Sequence, residues 1–177
     1  NMNKIIIDKK ISSDSDNVKI DGNLITLLKN DEYVVEYTSD GEYDITFVID
    51  GDVRIIESSF DRNLNIKKRY IIKSGKTEIT KFYNNYSVNE KVDIDLCHVG
   101  WMIDFKFSNI CRGMEEYTIN VNHNDMKTVS NIINKSLALK NSTVHYVINS
   151  NVRKDSVKSV LNQNTRIVTM GDADAKI

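Results

Sequence analysis

Polar and apolar residues alternate along much of the chain. Asn17–Leu28 (NVKIDGNLITLL), Glu32–Tyr37 (EYVVEY), Tyr43–Ile49 (YDITFVI), Val53–Glu57 and Tyr70–Lys73 are alternating or β-branched runs, as in strands that turn one side to a core. Asp21-Gly22, Asp40-Gly41, Asp50-Gly51 and Ser74-Gly75 follow such runs and supply residues that bend the chain or tolerate positive φ. Val92–Val99, Met102–Phe107, Tyr117–Val121, Val144–Ile148 and Arg166–Met170 are also strand-like. Between Gly113 and Gly171, however, there is no glycine to build hairpin turns. Asn and Ser fill the corners instead, in VNHND, INKS, LKNST, VINSNV and LNQNT. Stacked asparagines at polar corners predict a solenoid of parallel strands, in which each corner lies above the last and shares amide hydrogen bonds.

An internal echo points the same way. Asn149-x-Asn151 recurs at Asn162-x-Asn164, and LKNSTVHYV (Leu139–Val147) resembles VRKDSVKSV (Val152–Val160), both at an offset of 13 positions. That offset suits one side of a flattened coil followed by the other, with a full coil near twice the length. The competing reading is a helix over Met126–Leu139, because Met126, Val129, Ile133 and Leu137 fall near helical spacing; the Asn, Ser, Thr and Val content opposes it.

The 177 residues predict one domain, 1–177, able to bury a core without disulfides. A net charge of −1 excludes a strongly basic nucleic-acid-binding module, but it hides a gradient. Asn1–Arg62 holds 7 basic and 14 acidic side chains, and Asn63–Ile177 holds 17 and 11. Pairing of oppositely charged ends, closed as a two-fold homodimer through solenoid ends or edges, is therefore expected. No apolar run approaches a membrane span, and the start NMNKIIIDKK has no long apolar leader core. Cys97 and Cys111 are too few for a disulfide framework, so a reducing, cytoplasmic setting is expected.

His98, His123 and His145 recur at 25 and 22 positions, near a full coil, and a column of imidazoles would suit iron. His123 and His145 are the metal candidates. Against them, no tight ligand spacing occurs, and adjacent Cys97 and His98 point to opposite sides of a strand. Asp93/Asp95 and Asp172/Asp174 each put two acids on one face, but no base is placed for glycan cleavage. No phosphate-cradling or nucleophile motif is present, so no catalytic residue is assigned. Trp101 is expected in the core, and Lys67-Lys68-Arg69 at a solvated strand end.

From Lys91 to Lys176 the ordered pattern VDIDL (Val92–Leu96), INVNHNDMKTVSN (Ile119–Asn131), LALKNSTVHY (Leu137–Tyr146), NVRKDSVKS (Asn151–Ser159) and NQNTRIVTMGDADAKI (Asn162–Ile177) resembles the core domain shared by SufB and SufD. These SUF-system proteins partner the ATPase SufC in iron–sulfur cluster assembly. Ile148 stands where the family usually has glycine, and Lys154 where proline is common. The resemblance implies a right-handed parallel β-helix, a single-stranded solenoid flattened into two sheets. It also implies a non-catalytic scaffold whose partners are a SufC-type ATPase and a SufB/SufD-type subunit, with an iron–sulfur cluster in the full assembly. The family's Cys/His segment and SufC-binding helices correspond to sequence beyond Ile177, so none of its site residues transfers, and a truncated or minimal member is expected. The alternative is a β-solenoid or β-sandwich binding module, for example for glycans.

Overall fold

The computed structural model describes residues 2–98, 100–154 and 158–177. Readings that involve Asn1, Val99 or positions 155–157 of the NVRKDSVKS segment lie outside the described residues. The described chain is all strand, wound as a β-solenoid of about six turns with parallel walls.

Two walls build it. The first holds β1 (Asn3–Ile7), β2 (Ile11–Ser13), β5 (Glu32–Tyr37), β7 (Val53–Phe60), β11 (Val129–Ala138) and β13 (Val160–Thr169). The second holds β3 (Val18–Asp21), β4 (Leu24–Leu27), β6 (Gly41–Asp50), β8 (Asn63–Ser74), β12 (Thr143–Val152) and β14 (Asp174–Lys176). β9 (Lys76–Leu96) and β10 (Met102–His123) run through the corner and belong to both. The first wall therefore reads β2-β1-β5-β7-β9-β10-β11-β13, with every neighbour parallel except the β1–β2 hairpin. After a first coil of 30 residues (Asn3 to Tyr33), the coil lengthens from 22 residues (Tyr33 to Ile55) to 31 (Val129 to Val160). This drift is why the repeat is faint in the sequence.

Alternation sets the core. Inward residues stack level on level: Tyr33, Ile55, Ile79, Phe105 and Ile132 in the first wall, and Phe47, Tyr70, Ile94 and Val121 in the second. Each buried aliphatic or aromatic side chain contributes about 1.5–3 kcal/mol. Met126–Leu139 is not helical. Val129–Ala138 is a strand whose Ser130, Ile132, Asn134 and Ser136 point inward, because the neighbouring walls satisfy its backbone and tertiary pairing overrides a borderline helical spacing.

Of the predicted turns, Asp21-Gly22 closes the β3–β4 hairpin, whereas Asp40-Gly41, Asp50-Gly51 and Ser74-Gly75 form corners between parallel strands. The register slips between Cys111 and Met114, where a Cβ on Gly113 would stand 1.9 Å from the Tyr86 carbonyl oxygen. Only glycine lets the two corners approach this closely. The predicted amide sharing exists, but on outward strand faces: Asn120 donates to Asp93 (3.1 Å) and Asn149 to Asn120 (2.9 Å), Asn122 to Asp95 (2.7 Å) and Asn151 to Asn122 (3.0 Å).

Candidate functional site

The main concentration of chemistry lies inside the solenoid. Strict alternation along Ile66-x-Lys68-x-Tyr70-x-Ile72 turns Lys68 inward while Lys67 and Arg69 face out. The same phase buries Glu57 on β7, Lys81 at the first-wall end of β9 and Glu90 at its second-wall end. The four side chains are 0–1% exposed and interlock. Lys68 Nζ lies 2.6 Å from Glu57 Oε2 and 2.8 Å from Glu90 Oε1, and Lys81 is paired with Glu90. Three tyrosines complete the set. Tyr70 donates to Glu57, Tyr83 donates to Glu90 (2.7 Å), and Lys68 donates to the Tyr37 hydroxyl (2.8 Å). Lys81 also stands 4.0 Å from the centre of the Phe107 ring, a cation–π placement.

Two cations and two anions cancel, as buried charge requires. Burial opposes the charge of Lys68, yet Glu57 and Glu90 together raise its pKa well above the ordinary lysine value. For Lys81 burial wins: with one carboxylate partner and Lys68 repelling it, its pKa falls to about 8. Burial also raises the Glu90 carboxyl, but the Lys68 and Lys81 ammoniums outweigh it and hold it at about 2. The cluster has no exposed member, so it acts on the fold and not on a solute.

A second polar group lies around the slipped corner. Tyr117 donates to Glu115, whose carboxyl is raised chiefly by burial and whose other oxygen has no hydrogen-bond partner. Burial, and then Glu115, push the Cys111 thiol up to about 12, so it is inert at neutral pH. Ser136 bonds the Tyr146 hydroxyl (2.7 Å); Tyr146 stacks on Tyr117, and Phe107 meets both Tyr117 and Tyr83 edge to face.

The histidines form no column. His98 is exposed in the connection after β9. His123 points inward at the end of β10, with its ring nitrogens 2.6 Å from the Thr128 hydroxyl and 2.9 Å from the Ser130 hydroxyl, and burial lowers its pKa. His145 faces outward on β12, 4.0 Å from Glu116 and 3.8 Å from Asp174. His123 is paired in register with Leu96 and Val152, and His145 with Glu116 and Lys176, so the two metal candidates occupy opposite sides of the second wall. Among the described residues no three His, Cys, Asp or Glu side chains gather as a metal site. Asp93 and Asp95 share the outer face with Arg69, at 3.9 and 3.5 Å. Trp101 packs partly buried against the core.

No helix among the described residues is long and apolar enough to cross a membrane. No family model, no curated protein and no solved structure matches the chain.

Proposed function

We propose that the chain is a non-catalytic scaffold or partner subunit of SUF-type iron–sulfur cluster assembly, working with a SufC-type ATPase and a SufB/SufD-type subunit. One observation carries this reading: the motif segments behind the resemblance fall in order on successive levels of a parallel-walled β-solenoid, the architecture the resemblance implied. VDIDL ends β9 and INVNH ends β10. LALKNSTVHY turns from β11 into β12, and NQNTRIVT fills β13. The sealed interior adds to it. The most perturbed titratable groups sit where no substrate reaches, so work by this chain runs through its outer surface, and the cluster is cargo handled by the assembly.

Co-expression of the tagged chain with a SufC-type ATPase and a SufB-type subunit tests the reading. A complex surviving gel filtration, with ATP turnover confined to the ATPase, is expected. Specific retention on glycan resins with no ATPase contact would reverse it in favour of a β-solenoid binding module. Stoichiometric iron on the isolated chain, lost on substituting His123 and His145, would instead make the chain itself an iron site.

A further inference from the structure

The outer face of the first wall carries an apolar stripe parallel to the solenoid axis. One column of laterally paired residues reads Phe60, Asn84, Ile110, Leu137, Val168. Its neighbour reads Glu36, Ser58, Phe82, Ser108, Lys135, Arg166. Phe60 is 50% exposed and its ring centre lies 5.5 Å from that of Phe82. At the adjoining corner Tyr86 is 49% and Met114 68% exposed, and the Arg112 guanidinium sits 4.3 Å over the Tyr86 ring. Phe, Tyr, Met and Arg are the residues enriched at the centres of protein interfaces.

The second column is polarised: an acid on β5, an aromatic on β9, a base on β11 and another on β13. The whole surface follows it. Without the five buried charges (Glu57, Lys68, Lys81, Glu90, Glu115), the chain to Arg62 carries 7 basic and 13 acidic side chains, and the remainder 15 and 9. Because the walls climb with the sequence, this difference is axial, with one end acidic and the other basic. In the first wall β9 has β7, β5, β1 and the edge strand β2 on one side and β10, β11 and β13 on the other.

From this juxtaposition we infer that the first wall is the docking face for a second copy of the chain, packed antiparallel about a two-fold axis along β9. That operation sets Phe82 against its own copy, Phe60 against Ile110, Ser58 against Ser108 and Glu36 against Lys135, and it lays each acidic end over a basic one. The face is self-complementary, as a closed two-fold pair demands. Among the described residues Glu36 is paired only with exposed Lys4 (3.3 Å), and Lys135 and Arg166 have no ion-pair partner. This association is independent of any role in cluster assembly, and it differs from pairing through the solenoid ends, which leaves the stripe bare.

Sedimentation equilibrium over micromolar to millimolar concentration tests it, with circular dichroism and thermal melting as controls for folding. The native chain is expected to be a dimer that weakens as salt screens the charged ends. Phe60→Asp is expected to raise the dissociation constant by at least about tenfold without changing the melt. Glu36→Lys and Lys135→Glu each weaken the dimer, and the double swap Glu36→Lys/Lys135→Glu restores it, because each new charge again faces its opposite. A monomer throughout the range would overturn the proposal. So would a dimer indifferent to Phe60→Asp, or a double swap no tighter than the single variants.

Discussion

Replacing Glu90 with Gln removes one charge from the sealed cluster and keeps the side-chain volume. Lys68 and Lys81 then face Glu57 alone, with one positive charge uncompensated at 0–1% exposure. The cheapest relief is for Lys81 to release its proton. Native Lys81 already sits at about 8, so releasing its proton at pH 7 costs about 1.4 kcal/mol beyond the native protein. The loss of the Glu90 charge beside Lys68 adds to this, and breaking a buried pair from one side costs about 3–5 kcal/mol in all. Of a total stability of about 5–15 kcal/mol this is a large share.

The pH dependence follows from proton counting. In the folded variant Lys81 is neutral and in its unfolded chain it is charged, so stability rises with pH by about 1.4 kcal/mol per unit. The native protein shows no such slope below about 8, where Lys81 is charged in both states; above it, native Lys81 also releases its proton on folding. Urea unfolding of both proteins from pH 6.5 to 9 should therefore show a gap that narrows up to about pH 8 and then holds constant. The double variant Lys81→Met/Glu90→Gln leaves the neutral Lys68–Glu57 pair and should lose less than about 2 kcal/mol. A Glu90→Gln cost below about 1 kcal/mol with no pH slope would refute the reasoning, as would a double variant that loses the sum of its singles.

Three further outcomes follow from the geometry. Gly113→Ala drives a methyl group into the Tyr86 carbonyl and should cost more than about 2 kcal/mol, whereas Gly100→Ala, with open space but φ +78°, should cost about 1 kcal/mol; equal melting temperatures would contradict the corner contact. His123 is held neutral by burial while the unfolded chain protonates near 6.5, so stability should fall as pH drops below about 6.5, and His123→Gln should flatten that limb of the stability curve. Asn122→Asp sets a carboxylate against Asp95, where the native amide donates at 2.7 Å; a loss of about 1 kcal/mol at pH 7 that shrinks toward pH 4 is expected in denaturant titrations.

The solenoid was legible because its walls obey the period of two and its outward asparagines stack. The residues Lys76–Asn89 hid best: KTEITKFYNNYSVN is too polar to read as a buried strand, yet it supplies Lys81, Tyr83 and Asn85 to the core. Lys67-Lys68-Arg69 read as a solvated triplet because composition carries no phase. Continuing the alternation from Ile66 to Ile72 would have placed Lys68 inward, and the same count from Val88 to Leu96 would have placed Glu90 inward as well. The imidazole column failed for the related reason that coil length drifts from 22 to 31 residues, so even spacing does not preserve the face. The apolar stripe was invisible in sequence, since Phe60, Phe82 and Ile110 come together only through lateral pairing.

The drifting coil length also explains why charge sits where apolar packing would be simpler. Parallel strands whose inward positions are mostly Ile, Val and Tyr hold nearly the same contacts after a slip of two residues, because the inward phase is preserved. Between β7, β8 and β9 that degeneracy is broken. Sliding β8 by two residues would bring Ile66 or Tyr70 to the level of Lys68 and strand Glu57 and Glu90 without their shared cation, at a cost of several kcal/mol. The charged cluster therefore selects one register among β7, β8 and β9, at the levels between the acidic and basic ends.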